Sequence, residues 1–260
     1  MHIARKRFGQ NFLQDPHFIR ACMDAVRPLP TENLVEIGPG LGALTRPLTA
    51  QIPHLHVVEI DRDLIARLQH AYSTSQLTVH GGDALEFDFS QLGEKLRIVG
   101  NLPYNISTPL LFHLAQFAAH IQDLHFMLQK EVVERMAAAP STSAYGRLSV
   151  MLQYRFQILP LFDVPPQAFH PAPKVTSSFV RMLPLHPLPY PAQDTDLFAE
   201  IVAAAFSMRR KTLRNTLKGR VTDTDFQALG IDAGWRAENL GASEYVRIAN
   251  YLHTHKSPSI

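Results

Sequence analysis

A short β-prone run, Leu96 to Val99, opens into Gly100-Asn101-Leu102-Pro103-Tyr104. Within four residues the chain presents the side-chain amide of Asn101, the main-chain carbonyl of Leu102 and the ring of Tyr104; Pro103 brings no N–H to compete for that carbonyl. This set suits a planar base bearing an exocyclic amine. The amine of adenine is a poor nucleophile because its lone pair is delocalised into the ring. If the Asn101 oxygen and the Leu102 carbonyl accept its two hydrogens, the nitrogen can rehybridise and aim a lone pair at an electrophile while Tyr104 stacks on the base. No strong general base is needed, because the attacked amine becomes acidic and loses its proton to an acceptor already in place. An ordinary proline turn is the bland alternative for Asn-x-Pro-Tyr.

A second group of residues concerns the electrophile. The run Leu34 to Ile37 ends in Gly38-Pro39-Gly40-Leu41-Gly42 at a helix start, a turn through which backbone can approach a ligand closely. Gly38-x-Gly40-x-x-Ala43 also satisfies a dinucleotide fingerprint, and a turn with no ligand stays open. Glu59, at the end of the next strand, stands where a carboxylate accepts from ribose hydroxyls. Asp83, in Gly82-Asp83-Ala84, would lie on the same rim and accept from an adenine amino group, with a turn cap as its plainer role. Nicotinamide cofactors and S-adenosylmethionine both carry adenosine, so these sites leave dehydrogenase and methyltransferase open. The Asn101 corner favours the methyltransferase, and no hydride-site constellation accompanies the glycines.

To serve one site, these motifs must fall on one rim of a sheet. Hydrophobic periodicity predicts a helix over 16–27 with Asp15 as N-cap and Pro16 at its first position, and a helix over 43–51 shortened or kinked by Pro47. Further helices are expected at 62–72 and 109–119, and strands at 55–60, 77–80, 96–99, 124–128 and 175–183. Strands alternating with helices imply a parallel α/β sheet covered on both faces. Residues 139–146 read as an exposed mobile loop, and 161–173 as a proline-rich stretch. Four prolines within Pro184 to Pro191 form a stiff connector, beyond which helical periodicity persists to the end. The expected division is therefore residues 1–185 for a catalytic domain and 186–260 for a small helical one.

Asn101-Leu-Pro-Tyr-Asn-Ile-Ser107, Glu36-Ile-Gly-Pro-Gly40, Gly9-Gln-Asn-Phe-Leu13 and Phe169-His-Pro-Ala-Pro-Lys-Val175 resemble the motifs of the ribosomal RNA adenine N6,N6-dimethyltransferases, and most closely the bacterial small-subunit branch associated with kasugamycin sensitivity. Leu128-Gln-Lys-Glu-Val132 and Arg209-Arg-Lys-Thr212 extend the likeness nearly end to end. The resemblance implies a Rossmann-like class I methyltransferase sheet with S-adenosylmethionine as cofactor. Asn11 and Leu13 would close over that cofactor, Gly38 and Gly40 would meet its methionine part, Glu59 its ribose and Asp83 its adenine. Asn101 would face both cofactor and target amine, Phe169 would wall the target pocket opposite Tyr104, and Lys174 would approach phosphate. It further implies two adjacent adenosines near the 3′ end of small-subunit RNA, in an assembling 30S particle, as the substrate of a monomeric enzyme of ribosome biogenesis.

Composition agrees with such an enzyme. Of 260 residues, 46% are hydrophobic and 18% charged, enough apolar side chain for a full core and too much for disorder. The single cysteine excludes an internal disulfide and fits a reducing compartment. No apolar run is long enough for a transmembrane helix and no signal peptide is read, so a cytoplasmic protein with no membrane partner is expected. The histidines, His54 and His56 or His253 and His255 among them, do not read as metal ligands, and no metal is expected. Net charge is only +2, but Arg209, Arg210, Lys211, Arg214, Lys218 and Arg220 fall together with no acid between Met208 and Val221, and Arg5, Lys6 and Arg7 open the chain. The first group is read as a basic helix that grips RNA phosphates. Flipping a base costs a few kcal/mol and each aromatic platform returns ~1–3 kcal/mol, so the expected target is an accessible adenosine rather than one in a paired helix.

Overall fold

In the computed structural model, which describes residues 10–255, the chain alternates strand and helix as its apolar runs demand; Arg5, Lys6, Arg7 and Gly9 lie outside the described residues. β1 (Phe12–Leu13) leads into α1 (Pro16–Val26), whose N-cap Asp15 accepts from the His17 N–H at 2.8 Å. Then follow β2 (Asn33–Ile37), α2 (Thr45–Thr49), β3 (Leu55–Glu59), α3 (Arg62–Ala71), β4 (Leu77–Gly81), β5 (Leu96–Asn101), α4 (Ser107–Gln116) and β6 (Ile121–Gln129). Pro47 sits inside α2, which is only five residues long.

α5 (Lys130–Ala137), α6 (Arg147–Gln153), β7 (Phe156–Val164), β8 (Phe169–His170) and β9 (Ser177–Pro184) come next, then α7 (Thr195–Ala205), α8 (Leu213–Thr216), α9 (Asp223–Leu229) and α10 (Ala242–His255). The seven-stranded sheet has the order β4-β3-β2-β5-β6-β9-β7; β4 through β6 are parallel, and β9 runs antiparallel to β6. The chain builds outward from β2 to β4 and then returns to place β5 on the other side of β2. At such a reversal the carboxyl ends of neighbouring strands leave a crevice. Ile37, Glu59 and Asn101 end three neighbouring strands there.

The chain divides into two compact units, Met1–Val133 with Gln157–Pro184, and Glu134–Phe156 with Leu185–Ile260. It therefore crosses between units three times, not once after residue 185. Residues 134–156, expected in the first domain, belong to the second unit because their apolar side chains complete its core. Tyr145, Val150 and Tyr154 pack with Phe198, Ile201 and Val202, and the Tyr154 and Phe198 rings lie 4.6 Å apart. The segment 139–146 is thus anchored: Tyr145 is buried and Ser141 donates its N–H to the Glu238 carbonyl at 2.7 Å. The proline-rich stretch hides β7, which lies at the margin of the sheet, where Pro160 removes no interior ladder bond.

The basic segment is not the expected helix. Only Leu213–Thr216 is helical, because Thr212 forms a backbone bridge to Arg236, and the N–H groups of Leu213 and Arg214 go to the carbonyls of Trp235 and Ala233 at 2.7 and 3.0 Å.

The first unit is pinned below its sheet by a buried charge cluster. Arg97 on β5 donates to both oxygens of Asp123 on β6 at 2.8 and 3.0 Å, to Glu32 at 2.7 Å and to the Val26 carbonyl at the end of α1 at 2.7 Å. Arg181 on β9 reaches the same Asp123 at 2.8 Å. Asp123 stays below the usual carboxylate range because these guanidinium groups and His125 outweigh the burial that opposes ionisation. His125, fully buried, has neither ring nitrogen hydrogen-bonded among the described residues, and burial pushes it down to about 4. The Asp123 charge opposes that shift and the charges of Arg97 and Arg181 add to it.

The unfolded chain takes up a proton at His125 near pH 6.5, whereas the folded chain does so only near 4, so stability is lost as pH falls through that window. A shift of that size is worth about 3 kcal/mol. His56 titrates in the same sense over this range and Glu36 in the opposite one, so the readout is a difference: in urea unfolding followed from pH 7 to 4, the wild type should lose most of that amount relative to His125→Phe. An unchanged slope in the variant would show that His125 is not the group responsible.

Candidate active site

The rim begins where β2 ends. After Ile37 the backbone turns through Gly38 and Gly40, with φ of 65° and 57°, a region that side chains disfavour. A Cβ on Gly40 would lie 3.0 Å from the Phe12 ring. β1, paired antiparallel to β8 through Phe12↔His170 and Leu13↔Phe169, thus lies directly over the glycine turn. On the other side Gly100 lets β5 pass close to β2: a Cβ there would stand 2.6 Å from the Ile37 carbonyl oxygen. Between these elements is a cavity of about 290 Å³, lined by Asn11, Leu13, Gly38, Gly40, Glu59, Asp83 and Asn101 through Tyr104 among others. Every residue expected to bind the cofactor is in that lining.

Three carboxylates face it in different states. Glu59, at the end of β3, is buried; one of its oxygens accepts the N–H groups of Ile60 and Asp61, both at 2.9 Å, and the N–H of Gly40 lies against the carboxylate too. Burial raises its pKa, and these donors hold the rise back. Asp83 takes the plainer of its two anticipated roles, one oxygen capping the Leu85 N–H at 2.9 Å, and the residue also lines the cavity. Glu36 is the third, a motif residue to which sequence reasoning gave no role. It is 2% exposed, accepts from the Thr45 hydroxyl at 2.7 Å, and is pushed up to about 8 mainly by burial; the Thr45 bond opposes the shift and the Glu59 charge adds to it. Near neutral pH it carries a proton.

At the Asn101 corner, Nδ2 donates to the Asn11 carbonyl at 2.7 Å, which fixes the amide and leaves Oδ1 out of that bond; Asn101 is part of the cavity lining. The Leu102 N–H is spent on the Met127 carbonyl at 3.2 Å, so the corner is tied to β6. The half-buried Tyr104 bonds through its hydroxyl to the Ser177 hydroxyl at 2.7 Å, and burial raises its pKa. Its backbone carbonyl accepts from Ser107 at 3.0 Å. Ser177 and Phe12 were missed by sequence reading. Phe12 stood inside a quoted motif, but Ser177 is distant in sequence and carried no local signal.

Phe169 departs from expectation. It is absent from the cavity lining, 4% exposed, and packed in the core with Leu13, its ladder partner. An apolar ring at that register position is committed to the core. Lys174 is exposed. In the second unit Arg209, Arg210, Lys211, Arg214, Lys218 and Arg220 are all exposed. Arg209 reaches Glu238 at 3.8 Å, Arg214 reaches Asp223 at 2.9 Å and Arg220 reaches Glu200 at 3.2 Å. Among the described residues, no group of three or more His, Cys, Asp or Glu is placed to hold a metal ion, although His54, His56 and His80 meet on one sheet face with ring centroids 4.9 and 5.3 Å apart. No helix of the described residues is long and apolar enough to cross a membrane.

The family model for Ribosomal RNA adenine dimethylase matches residues 1–254. The chain belongs to that family. It is 65% identical over 257 residues to the "Ribosomal RNA small subunit methyltransferase A" of Aromatoleum aromaticum, covering 99% of this chain and 97% of the relative. It is 61% identical over 254 residues to the protein of the same name from Thiobacillus denitrificans, covering 98% and 100%. In fold it is similar to a dimethyladenosine transferase from Plasmodium falciparum, with TM-score 0.78, 22% identity, and 94% and 98% of the two chains covered. The 23S rRNA methyltransferase ErmE shares the fold as well, with TM-score 0.72, 22% identity, and 94% and 100% covered.

The chain is therefore a ribosomal RNA adenine dimethyltransferase of Rossmann-like fold, and S-adenosylmethionine is its cofactor. The cavity fits that group: glycines open the wall, a buried carboxylate stands at the end of β3, and Asp83 keeps a carboxylate oxygen beyond its turn. Because a carbon on Gly100 would press on backbone, not on a flexible side-chain end, Gly100→Ala should cost about 1–3 kcal/mol of stability and weaken binding of S-adenosylmethionine. Gly82→Ala, whose added carbon meets nothing within 4 Å, should stay within about 0.5 kcal/mol of wild type. Thermal unfolding and calorimetric titration check both, and equal stability of the two variants would contradict the close approach.

Proposed function

We propose that this enzyme dimethylates N6 of two adjacent adenosines near the 3′ end of small-subunit ribosomal RNA, as a monomer acting in the cytoplasm on an assembling 30S particle. The names of its relatives support the choice of subunit. The observation that carries the chemistry is the Asn101 amide, oriented by the Asn11 carbonyl so that its oxygen is left for a donor in the cavity.

Bound in the cavity, S-adenosylmethionine supplies an electrophilic methyl group. In our reading Glu59 accepts from its ribose hydroxyls, the second oxygen of Asp83 accepts from its adenine amine, and Gly38 and Gly40 let its methionine part lie against backbone. Asn11 and Leu13 close that side. Asn101 Oδ1 and the Leu102 carbonyl draw the two hydrogens of the target amine out of the base plane and leave the nitrogen lone pair free to attack. Pro103 keeps the Leu102 carbonyl uncontested, and Tyr104, anchored by Ser177, gives the base a face to rest on. The proton released on attack passes to an oxygen already hydrogen-bonded to it. A monomethylated amine retains one N–H, so the same acceptors serve the second transfer with one bond fewer. Phe169 supports β1 in this scheme.

The test incubates the protein and labelled cofactor with unmethylated small-subunit particles and resolves the nucleosides after digestion. N6,N6-dimethyladenosine is expected, and label confined to monomethyladenosine or to another base overturns the reading. Asn101→Ala should lower kcat by about 10²–10³.

The exposed cations of the second unit, and Lys174 of the first, would supply phosphate contacts. Arg210, Lys211 and Lys218 have no ion pair recorded among the described residues, so they are the readiest of these. Replacing the three with alanine should reduce the slope of log K against log salt for RNA binding by about 2–3. An unchanged slope would remove them from the interface.

A further inference from the structure

One feature of the second unit plays no part in the chemistry above. The bridge between Thr212 and Arg236 lays the segment 233–236 against the basic run, and between Gly234 and Arg236 stands Trp235, the only tryptophan of the chain. Its backbone is held on both sides. The carbonyl accepts from the Leu213 N–H at 2.7 Å, and the N–H donates to the Asp232 carbonyl at 3.0 Å. Leu213 is itself fully buried, so this attachment is anchored in the core. The indole is nevertheless 46% exposed and has no ring stacked on it among the described residues. Met208, at the start of the same basic run, is 49% exposed. A large aromatic fixed at the backbone and left in water costs hydrophobic free energy that folding alone does not require.

The surrounding charge indicates what would cover it. Lys211 and Arg236 flank the bridge, Arg210 precedes it and Arg214 follows, all of them exposed. Arg214 is paired with Asp223, but both partners are more than 60% exposed, and such pairs exchange readily for another anion. Asp232 and Glu238 each stand three residues from Trp235; one oxygen of Asp232 is bound to the Gly234 N–H at 2.7 Å, and Glu238 faces Arg209 at 3.8 Å. A flat π-face beside a run of cations, with the neighbouring acids Asp223, Asp232 and Glu238 each already engaged, matches a polyanion that also offers flat rings. Paired RNA hides its base faces inside the stack, whereas an unpaired segment presents them.

We propose that Trp235 is a stacking platform for an unpaired nucleotide of the RNA, with Arg210, Lys211 and Arg236 holding the flanking phosphates. This rests on the reading that the second unit binds RNA, and it adds a specific recognition of single-stranded RNA.

Because Trp235 is the only tryptophan among seven tyrosines, tryptophan emission excited beyond the tyrosine absorption band reports on this position alone. Titration with a short single-stranded oligoadenylate should quench the emission saturably, and an RNA duplex of equal length should quench it much less. Anisotropy of end-labelled oligoadenylate gives the affinity of variants that lack the fluorophore. Trp235→Ala should weaken binding about five- to hundredfold, and Trp235→Phe should recover most of the loss. With particles as substrate, Trp235→Ala should raise KM and leave kcat near wild type. Binding by anisotropy without quenching overturns the platform and leaves the RNA reading of the second unit standing. No binding by anisotropy overturns both. Quenching by anionic phosphatidylglycerol vesicles but not by RNA overturns the proposal in favour of a membrane surface.

Discussion

The site depends on how closely two strands can pass. Gly100 brings the end of β5 against the Ile37 carbonyl at a separation that leaves no room for a Cβ. On one side of that contact the chain turns through Gly38 and Gly40 into the cofactor crevice. On the other it turns through Asn101 into the corner proposed to hold the target amine. Methyl transfer needs the reacting donor and acceptor atoms in line and about 3–3.5 Å apart, and a sheet with ordinary side chains at this crossing would hold the two turns further apart. The glycine therefore belongs to the chemistry although it touches neither reactant. Strand order contributes equally, since the reversal at β2 is what makes these two ends neighbours.

Electrostatics divides the work among the carboxylates. Glu36 and Glu59 end up close together in a buried setting, and two full negative charges there would repel across a poor dielectric. The structure resolves this unequally. Glu59 receives backbone N–H groups that favour its charged form, while Glu36 has one hydroxyl donor and keeps its proton near neutral pH. The carboxylate we propose for the ribose hydroxyls is thus the one best equipped to stay an acceptor, and the second acid helps bury β2 without adding a charge.

What could be read in the sequence follows from how local each signal is. Glycine turns, the Asn101 corner, Glu59 and Asp83 each sit at the end of a strand that its own apolar run announces, so site and sheet emerged together. Three features needed information from elsewhere in the chain. The 134–156 segment looks like loop and short helix by itself, and only the apolar faces of α7 and α10 explain its place. Residues 209–220 have the charge and spacing of a helix, but a bridge to Arg236, from a segment two dozen residues away, takes the N–H groups that Leu213 and Arg214 would spend inside a longer helix, and only Leu213–Thr216 is helical. Phe169 was given a functional place by resemblance, whereas its register opposite Leu13 commits the ring to the core.

The choice of amide at position 101 follows from its partner. The Asn11 carbonyl lies 2.7 Å from the side-chain nitrogen, so that atom must be a donor. An aspartate of the same shape would set a carboxylate oxygen against a carbonyl oxygen and be held there only with a proton. Asparagine satisfies the contact while neutral and leaves its oxygen for the substrate, with no pH at which the two functions compete. Because Asn11 is positioned by β1, and β1 by its pairing to β8, the orientation of the Asn101 amide is set by a two-residue strand. In the proposed reaction, a small element outside the main sheet thereby decides which atom of Asn101 is offered to the base.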